Sequence, residues 1–351
     1  MKQYAKESPF ELQSREEKVL KWLVRDYVIS GNPVGSSRLV AMDYFKVGSA
    51  TLRHVLSDLE MGGYLLQPHI SAGRVPTEKG YRYFVDRLMK TEVPEPDVKS
   101  DYESGLNEIS RDLDRLIKNT AQFLGDMSHA LVVMSKPQEN STRIKSLALH
   151  ELDNETILLI VHMSLEQVKT VAFELESKLS RTVLREAENI LNDLFADMEL
   201  EDVQNMAQKE TTLAAGKNPI IDQILKQFKA VLSSSSSSDY KVYGAHQLLH
   251  YPEIVAPGNL EILLEAIETD RLQRYLPAPV VSGKPSVLIG GELRQNLFRN
   301  MSLVSISYNG MACSGEIHIL GPTRMAYERI VGLAEFTAEK LEMLINTKYI
   351  K

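Results

Sequence analysis

The segment from Gly48 to Arg87 restricts the fold of this chain more than any other part of its sequence. Apolar residues recur at helical spacing over Ser49–Met61, which we call the reading helix, and they form one stripe along it: Leu52, Val55, Leu56 and Leu59. Two glycines end this helix, a strand covers Tyr64–Gln67, and a loop covers Pro68–Val75. Pro76-Thr77 then opens another helix. A helix, a strand, a loop and a second helix in this order predict a winged helix-turn-helix, which is typical of DNA-binding regulators.

Two more helices are expected ahead of the reading helix. The first starts at Ser14-Arg15-Glu16-Glu17, which has the spacing of a capping box. It ends before Pro33, because proline disfavours a helical conformation in the residue that precedes it. The second covers Ser36–Asp43, and Tyr44–Gly48 forms the turn into the reading helix. The winged-helix domain is predicted to span residues 1–95 and to close at the stiff linker Val93-Pro94-Glu95-Pro96.

The outer face of the reading helix carries small, polar and cationic side chains. At about 100° per residue, Ala50, Arg53, His54 and Ser57 lie opposite the apolar stripe. In a DNA major groove an arginine can fork onto guanine, a hydroxyl can reach a base or a phosphate, and a methyl group can contact thymine. The candidate DNA-binding residues are therefore Ser49, Ala50, Thr51, Arg53, His54 and Ser57 on the helix, and His69, Ser71 and Arg74 in the loop.

Simpler interpretations of some of these residues stay open. Arg53 could be an ordinary solvated arginine, and Ser49 could cap the helix instead of contacting DNA. His69 and Ser71 have the character of turn formers more than of DNA contacts.

Arg74 is the strongest candidate in the loop. It follows Gly73, and a glycine next to an arginine suits a close approach to the DNA backbone or minor groove. The alternative is a salt bridge between Arg74 and Glu78 or Asp86.

The distribution of charge supports a DNA-binding amino terminus. The formal net charge of the chain is −7, which taken alone argues against DNA binding. Residues 1–90, however, hold 14 Lys and Arg against 10 Asp and Glu, a net of +4, and the remainder holds 26 against 37, a net of −11. An acidic remainder limits indiscriminate binding to polyanions. Because +4 is a modest charge, we expect dimerisation to supply the missing affinity.

Composition also bounds the location of the protein. Cys313 is the only cysteine, which excludes an intramolecular disulfide and a cluster of thiolate zinc ligands and suits a reducing cytosol. The amino terminus lacks the apolar core of a signal peptide, and no run of about 18 apolar residues is present. We therefore expect a cytoplasmic protein without a membrane span.

Beyond the linker, the pattern predicts an α+β arrangement. Apolar residues from Tyr102 to Met127 alternate steps of four and three, which fits a long amphipathic helix packed on its own domain or a helix that pairs with a second copy. Strands are expected over Arg143–Leu152, Thr156–Met163, Gln167–Phe173, Val287–Gly290, Ser302–Tyr308 and Gly315–Leu320, and helices over Arg181–Met198, Pro219–Leu232 and Arg324–Ile345. Six serines at 233–238 suggest a loop. This order indicates one sheet domain, 96–174 and 276–351, interrupted by an insertion at 175–275.

No constellation typical of an enzyme is found. His246 and His250 have the spacing of two ligands on one helical face, but no third ligand accompanies them. Gly321-Pro322-Thr323-Arg324 could hold an anion at the start of a helix, but a capped strand-to-helix turn is the simpler explanation and the one we favour. We therefore expect no enzymatic activity, no metal and no cofactor.

Three blocks of the chain together resemble one known family. They are PVGSSRL…SATLRHVLSDLEMGGYLLQPHISAGRVPTEKGYRYFVD, YGAHQLLHYPE and VLIGGEL…SLVSISYNGMACSGEIHILGPTRMAYERI, and the family is the HrcA family of heat-inducible repressors. The resemblance implies a winged helix-turn-helix domain, a GAF-like domain and an inserted dimerisation domain. It also implies a homodimer on an inverted-repeat operator of double-stranded DNA (CIRCE) at chaperone operons, with the chaperonin as the partner that keeps the repressor active. His54 and Ile70 depart from the family pattern, in which Asn and Thr are usual.

Two other functions are weighed against this one. A winged-helix regulator could sense a small metabolite through its GAF-like domain, and a specific ligand that stabilises the protein would favour that function. An enzyme or a nucleic-acid remodelling factor would need convergent acid–base or metal groups, and the sequence does not show them.

Overall fold

The structure, a computed structural model, divides the chain into two compact units. Unit 1 comprises residues 1–134, 241–307 and 316–340, and unit 2 comprises residues 135–240, 308–315 and 341–351. The residues described are 12–42, 44–107, 113–139, 143–153, 156–163, 168–174, 181–199, 202–203, 240–255, 259–269, 271–277, 283–298, 300–310 and 313–348. The predicted helix at 219–232 and the serine run at 233–238 lie outside them.

Unit 1 begins with three helices and a two-stranded hairpin, which together with the next helix we call the reading module. Its elements are α1 (Ser14–Ser30), α2 (Ser36–Ala41), α3 (Ser49–Met61, the reading helix), β1 (Leu65–Leu66), β2 (Val75–Pro76) and α4 (Glu78–Tyr83), which continues as a π-helical turn over Phe84–Leu88. β1 and β2 pair antiparallel, with Leu66 opposite Val75. The order of elements and the bounds of the reading helix agree with the sequence prediction.

The ends of α1 and α2 refine that prediction. The residue before α1 is Gln13, and its backbone N–H donates to Glu16 Oε2 at 2.8 Å, so the cap lies one residue ahead of the expected Ser14. α1 ends at Ser30 and is capped by Gly31, whose φ of +65° lies in the left-handed region that glycine adopts readily. α2 ends at Ala41, ahead of the expected Asp43.

One apolar core holds the reading module together. The sides of α1, α2 and α3 that face each other are fully buried, each contributing side chains with 0% exposure: Val19, Leu20, Leu23, Val24, Leu39, Leu52 and Leu59. Burial of each such side chain is worth about 1.5–3 kcal/mol. The outer face of the reading helix is therefore fixed by the burial of its inner face.

The remainder of unit 1, which we call the sheet module, combines strands and helices. Its elements, some of which extend into unit 2, are α5 (Pro96–Asn107), α6 (Leu113–Ser128), β3 (Leu131–Ser135), β8 (Tyr240–Tyr243), α8 (Asn259–Glu268), β9 (Ser286–Ile289), β10 (Met301–Asn309), β11 (Cys313–Pro322) and α9 (Tyr327–Lys348). The strands follow the order β8-β3-β11-β10-β9. β9 pairs antiparallel with β10, and β3 pairs antiparallel with β11.

The stripe from Tyr102 to Met127 is used inside the sheet module. The ring of Tyr102 stacks on Phe123 at 4.4 Å between centroids, and its hydroxyl lies 3.1 Å from Thr120 Oγ1. Phe336 of α9 contacts the same ring. Because Tyr102 lies in α5 and Phe123 lies in α6, the stripe is divided between two helices that pack against each other, and the expectation of one long helix is wrong. The buried sides of both helices pack within the sheet module, as in the first of the two alternatives.

Unit 2 contains a separate three-stranded sheet. Its strands are β5 (Ile144–Glu151), β6 (Thr156–Met163) and β7 (Val168–Glu174), and α7 (Arg181–Phe195) packs on it. The sheet is antiparallel throughout, with Leu149 opposite Leu159. The sequence placed these strands in one sheet with the C-terminal strands, and that expectation is wrong. Alternation of apolar residues identifies the buried face of a strand but not its partner.

The overall class agrees with the α+β prediction. In the described part of the chain, no helix is both long enough and apolar enough to cross a membrane.

Candidate DNA-binding surface

The reading helix presents the predicted polar side chains outward. Ala50, Arg53, His54 and Ser57 are exposed, whereas Leu52, Val55, Leu56 and Leu59 are buried. Ser49 and Thr51 are half-buried at the first turn. The structure therefore brings the six helical candidates to one face and its edge.

A hydroxyl pair supports the first turn of the reading helix. The helix is capped by Gly48, so the alternative in which Ser49 acts as the N-cap residue is wrong. Ser49 Oγ instead lies 2.9 Å from Ser36 Oγ, at the start of α2. Arg53 Nε donates to the same Ser36 oxygen at 3.4 Å. Ser36 thus links α2 to the guanidinium that is the leading candidate for a base contact, and the sequence prediction did not include it.

The hairpin loop is braced by its own side chains. The Gln67 amide nitrogen donates to the carbonyl oxygens of Ile70 at 2.8 Å and Ala72 at 3.0 Å, and Ala72 N–H donates to His69 O at 2.8 Å. His69 and Ser71 are exposed on this turn. Ile70 at its tip is 100% exposed. The tip is therefore an ordered, outward projection with an apolar end.

Arg74 lies at the base of the loop and is paired. Its Nε donates to Glu60 Oε2 of the reading helix at 2.8 Å, and only 19% of its side chain is exposed. The predicted alternative of a salt bridge is correct in kind, but the partner is Glu60 instead of Glu78 or Asp86. The backbone of Arg74 also exchanges two 2.8 Å hydrogen bonds with Val34.

Gly73 lies at the same contact between the loop and Val34. A Cβ built on it would lie 2.4 Å from the carbonyl carbon of Val34, so a side chain there would collide with backbone. The close approach for which the sequence singled out Gly73 is therefore made by Val34. It is an internal contact that fixes the base of the loop against the segment between α1 and α2.

An aromatic stack supports the turn that leads into the reading helix. The rings of Trp22 in α1 and Tyr44 are nearly parallel, 11° apart in plane and 3.6 Å apart between centroids. The Arg25 guanidinium lies 5.2 Å from the centroid of the Trp22 ring. The turn is thus held to α1 by contacts that the sequence pattern alone does not reveal.

The other motifs noted in the sequence do not form a metal or catalytic site among the described residues. His246 and His250 lie on a 3-10 helix, Ala245–His250, on which residues four apart do not share a face. No group of three residues suited to metal coordination occurs among the described residues. Arg324 donates to Glu253 at 2.5 Å, so the Gly321–Arg324 turn holds an ion pair. Cys313 is buried as a free thiol.

Comparisons with known proteins identify the family. The model of the "HrcA protein C terminal domain" matches residues 114–331. The heat-inducible transcription repressor HrcA of Lachnoclostridium phytofermentans is 30% identical over 92% of this chain and 94% of its own length. The protein of the same name from Chlorobium phaeovibrioides is 30% identical over 94% of this chain and 97% of its own length.

A solved structure gives the same fold. A crystal structure of a hypothetical protein superposes with a TM-score of 0.58 at 21% identity, covering 96% of this chain and 98% of that one. The family model spans most of the chain, and the relatives span nearly all of it. The predicted family is therefore confirmed: the chain belongs to the HrcA family of heat-inducible transcription repressors, which is not a family of enzymes.

Proposed function

We propose that the chain represses chaperone operons by binding an inverted-repeat operator as a homodimer, with the reading module acting as a winged helix-turn-helix. The observation that carries this proposal is the division of the reading helix into a buried apolar face and an exposed face with Arg53, His54 and Ser57. A helix of this kind can enter a major groove and place an arginine on guanine. His69, Ser71 and Arg74 of the hairpin loop are proposed to contact the flanking backbone.

The weak positive charge of the reading module supports the proposal of a dimer. A net of +4 in residues 1–90 gives one module little affinity. Two modules joined in a dimer would occupy successive major grooves about 34 Å apart, or a multiple of that distance, which an inverted repeat matches. Linking the two binding events raises the overall affinity without any new contact.

Sheet membership supports a different extent for the inserted dimerisation domain. The expected insertion covers residues 175–275, but β5–β7 form a sheet with α7 while β8 belongs to the other sheet. We therefore place the insertion between β4 (Gln138–Glu139) and β8 (Tyr240–Tyr243). The flanking residues form the domain for which the family resemblance implies a GAF-like fold.

The chaperonin is proposed as the partner that keeps the repressor active in the cytoplasm. When stress diverts chaperonin to unfolded proteins, the repressor would lose this partner and release the operator. A shift of a few kcal/mol between the active and inactive forms is enough for such a response.

Footprinting tests the proposal directly. The purified protein should protect both halves of an inverted repeat at the chaperone promoters of its own genome, and added chaperonin should increase the protection. Sedimentation of the full chain on the same DNA should give two protomers per operator. Equal protection of unrelated DNA would contradict the proposal.

A cavity favours metabolite sensing as a second candidate function. A cavity of about 330 Å³ lies against α8, and its lining includes the charged side chains of Arg271, Arg294 and Glu265 together with Tyr275, Ala266 and Leu297. Arg294 has a φ of +54°, an uncommon conformation for a side chain other than glycine. A thermal-shift screen of small carboxylates and phosphates tests it. Stabilisation by several degrees with altered operator affinity would favour this function.

A further inference from the structure

Glu328 joins α1 of the reading module to the sheet module. Arg25 of α1 donates from Nε and Nη2 to the two carboxylate oxygens of Glu328, each at 2.8 Å. Glu328 lies in the first turn of α9 and is 7% exposed. A bidentate pair of this kind fixes direction as well as distance, because both parallel hydrogen bonds must be kept.

The linker that follows the reading module is attached at the same place. Glu328 Oε1 accepts the backbone N–H of Lys90 at 3.0 Å, and the carbonyl oxygen of Glu328 accepts the N–H of Glu92 at 2.9 Å. A Cβ built on Gly332, one turn further along α9, would lie 1.8 Å from Glu92 O. Burial alone would raise the pKa of Glu328, but Arg25 and the Lys90 N–H hold it below its ordinary value. The carboxylate is therefore charged while it makes these contacts.

Glu292 joins α4 of the reading module to the segment after β9. Arg82 Nε donates to Glu292 Oε1 at 3.0 Å, and Arg82 Nη2 donates to Val287 O at 2.6 Å. The N–H of Gly291 donates to Glu78 Oε1 at 3.2 Å. Gly290 has a φ of +53°, and a Cβ there would lie 2.0 Å from the same Glu78 oxygen. The segment after β9 is thus shaped to receive α4.

The two attachments lie on different helices of the reading module. A single ion pair would leave the module free to turn about it, whereas one pair on α1 and another on α4 remove that freedom. Because the reading helix packs on α1 through their shared core, its direction is fixed relative to the sheet module.

We infer that Glu328 and Glu292 are positioning residues for operator recognition. Through Arg25 and Arg82 they hold each reading helix at a set orientation, and in the dimer they determine which spacing between half-sites the two helices can occupy. The inference rests on the proposed function and adds the residues that select the operator's geometry. Neither carboxylate needs to contact DNA for this role.

Operators of altered spacing test the inference. Gel-shift affinities are measured for an inverted repeat of natural spacing, for one with 2 added base pairs, and for a single half-site. Each added base pair moves the second half-site by about 3.4 Å and turns it by about 35°. The wild type should lose at least tenfold in affinity at the altered spacing, because its reading helices cannot follow.

Glu328→Gln and Glu292→Gln should relax this selectivity. We expect each variant to bind the natural operator about tenfold more weakly, because a less defined geometry lowers the effective concentration of the second module. The ratio between natural and altered spacing should fall to about threefold or less. Half-site affinity should stay within about twofold of wild type, and this also verifies that the reading module is folded. A merely structural role would lower all three affinities together.

Glu103→Gln is the matched control. It removes the ion pair between Glu103 and Lys340 of α9, which does not involve the reading module. This variant should keep the wild-type spacing ratio. If Glu328→Gln does not fold, Glu292→Gln still tests the second attachment by itself.

Two outcomes separate the inference from the proposed function. If the variants keep the wild-type preference for natural spacing, the inference is overturned while the proposed function stands. If the wild type does not prefer an inverted repeat to a half-site, the proposed function itself fails.

Discussion

Glu60 restrains Arg74, and its removal should strengthen DNA binding. The two side chains are 19% and 34% exposed and 2.8 Å apart. Solvent screens a pair with this exposure, so its contribution is about 0.2–1 kcal/mol. If Arg74 binds a phosphate, it must first give up Glu60 and lose this energy. Glu60→Gln should therefore raise the affinity about 1.4- to 5-fold, at a cost in stability of up to about 1 kcal/mol.

The assay is a salt titration of fluorescence anisotropy on operator and random DNA. Because a phosphate contact carries no sequence information, Glu60→Gln should strengthen both complexes alike, and Arg74→Ala should weaken both alike. Arg74→Ala should also lower the slope of log affinity against log salt by about 0.9. Asp58→Asn, which removes an exposed carboxylate from the same helix, controls for overall charge.

The gain in affinity could come from the release of Arg74 or from the loss of one negative charge, and a double variant decides between these two explanations. In an Arg74→Ala background, Glu60→Gln should have no more effect than Asp58→Asn, because the restrained guanidinium is gone. The reasoning is refuted if the gain persists without Arg74, or if it is confined to the operator.

Three further predictions concern Arg53, Gly73 and Glu328. Arg53→Ala should weaken operator binding by about 1–3 kcal/mol if the guanidinium reads a base, and unchanged affinity in a gel shift would dismiss that role. Gly73→Ala should lower the free energy of unfolding by about 1–3 kcal/mol in urea, because its Cβ would lie 2.4 Å from Val34; Gly48→Ala, which meets no atom within 4 Å, should cost less. The pKa of Glu328 is lowered from 4.5, so its contribution to stability is complete above the unfolded pKa and disappears as the pH falls through the folded one. The difference in unfolding free energy between wild type and Glu328→Gln should thus be constant above about pH 5.5 and shrink below about pH 4.5.

The sequence predicted local structure well where local signals coincide. The bounds of the reading helix, Ser49–Met61, and of β6, Thr156–Met163, are those expected. In the first case an apolar stripe ends at two glycines, and in the second an alternating run is bounded by turn residues. Both signals act over a few residues and need no knowledge of the partner.

Partners distant in sequence could not be predicted. Alternation in β5–β7 showed that they are strands but not that α7 would cover them. Arg53 lies on the exposed face of the reading helix, as the apolar stripe predicted. Its neighbour Ser36, and Glu60 beside Arg74, depend on how the elements of the module pack and could not be predicted from local sequence. Glu328 and Glu292 lie 303 and 210 residues from their arginines, so no periodicity could connect them.

The stack of Trp22 on Tyr44 gives the molecule a built-in optical reporter. Trp22 is the only tryptophan in the chain, so all indole emission arises from the reading module. The indole stacks on Tyr44 in the turn that precedes the reading helix and lies 5.2 Å from Arg25, which pairs with Glu328. Emission recorded during warming would therefore follow that module alone, and comparison with circular dichroism would reveal whether it loosens before the rest of the protein melts.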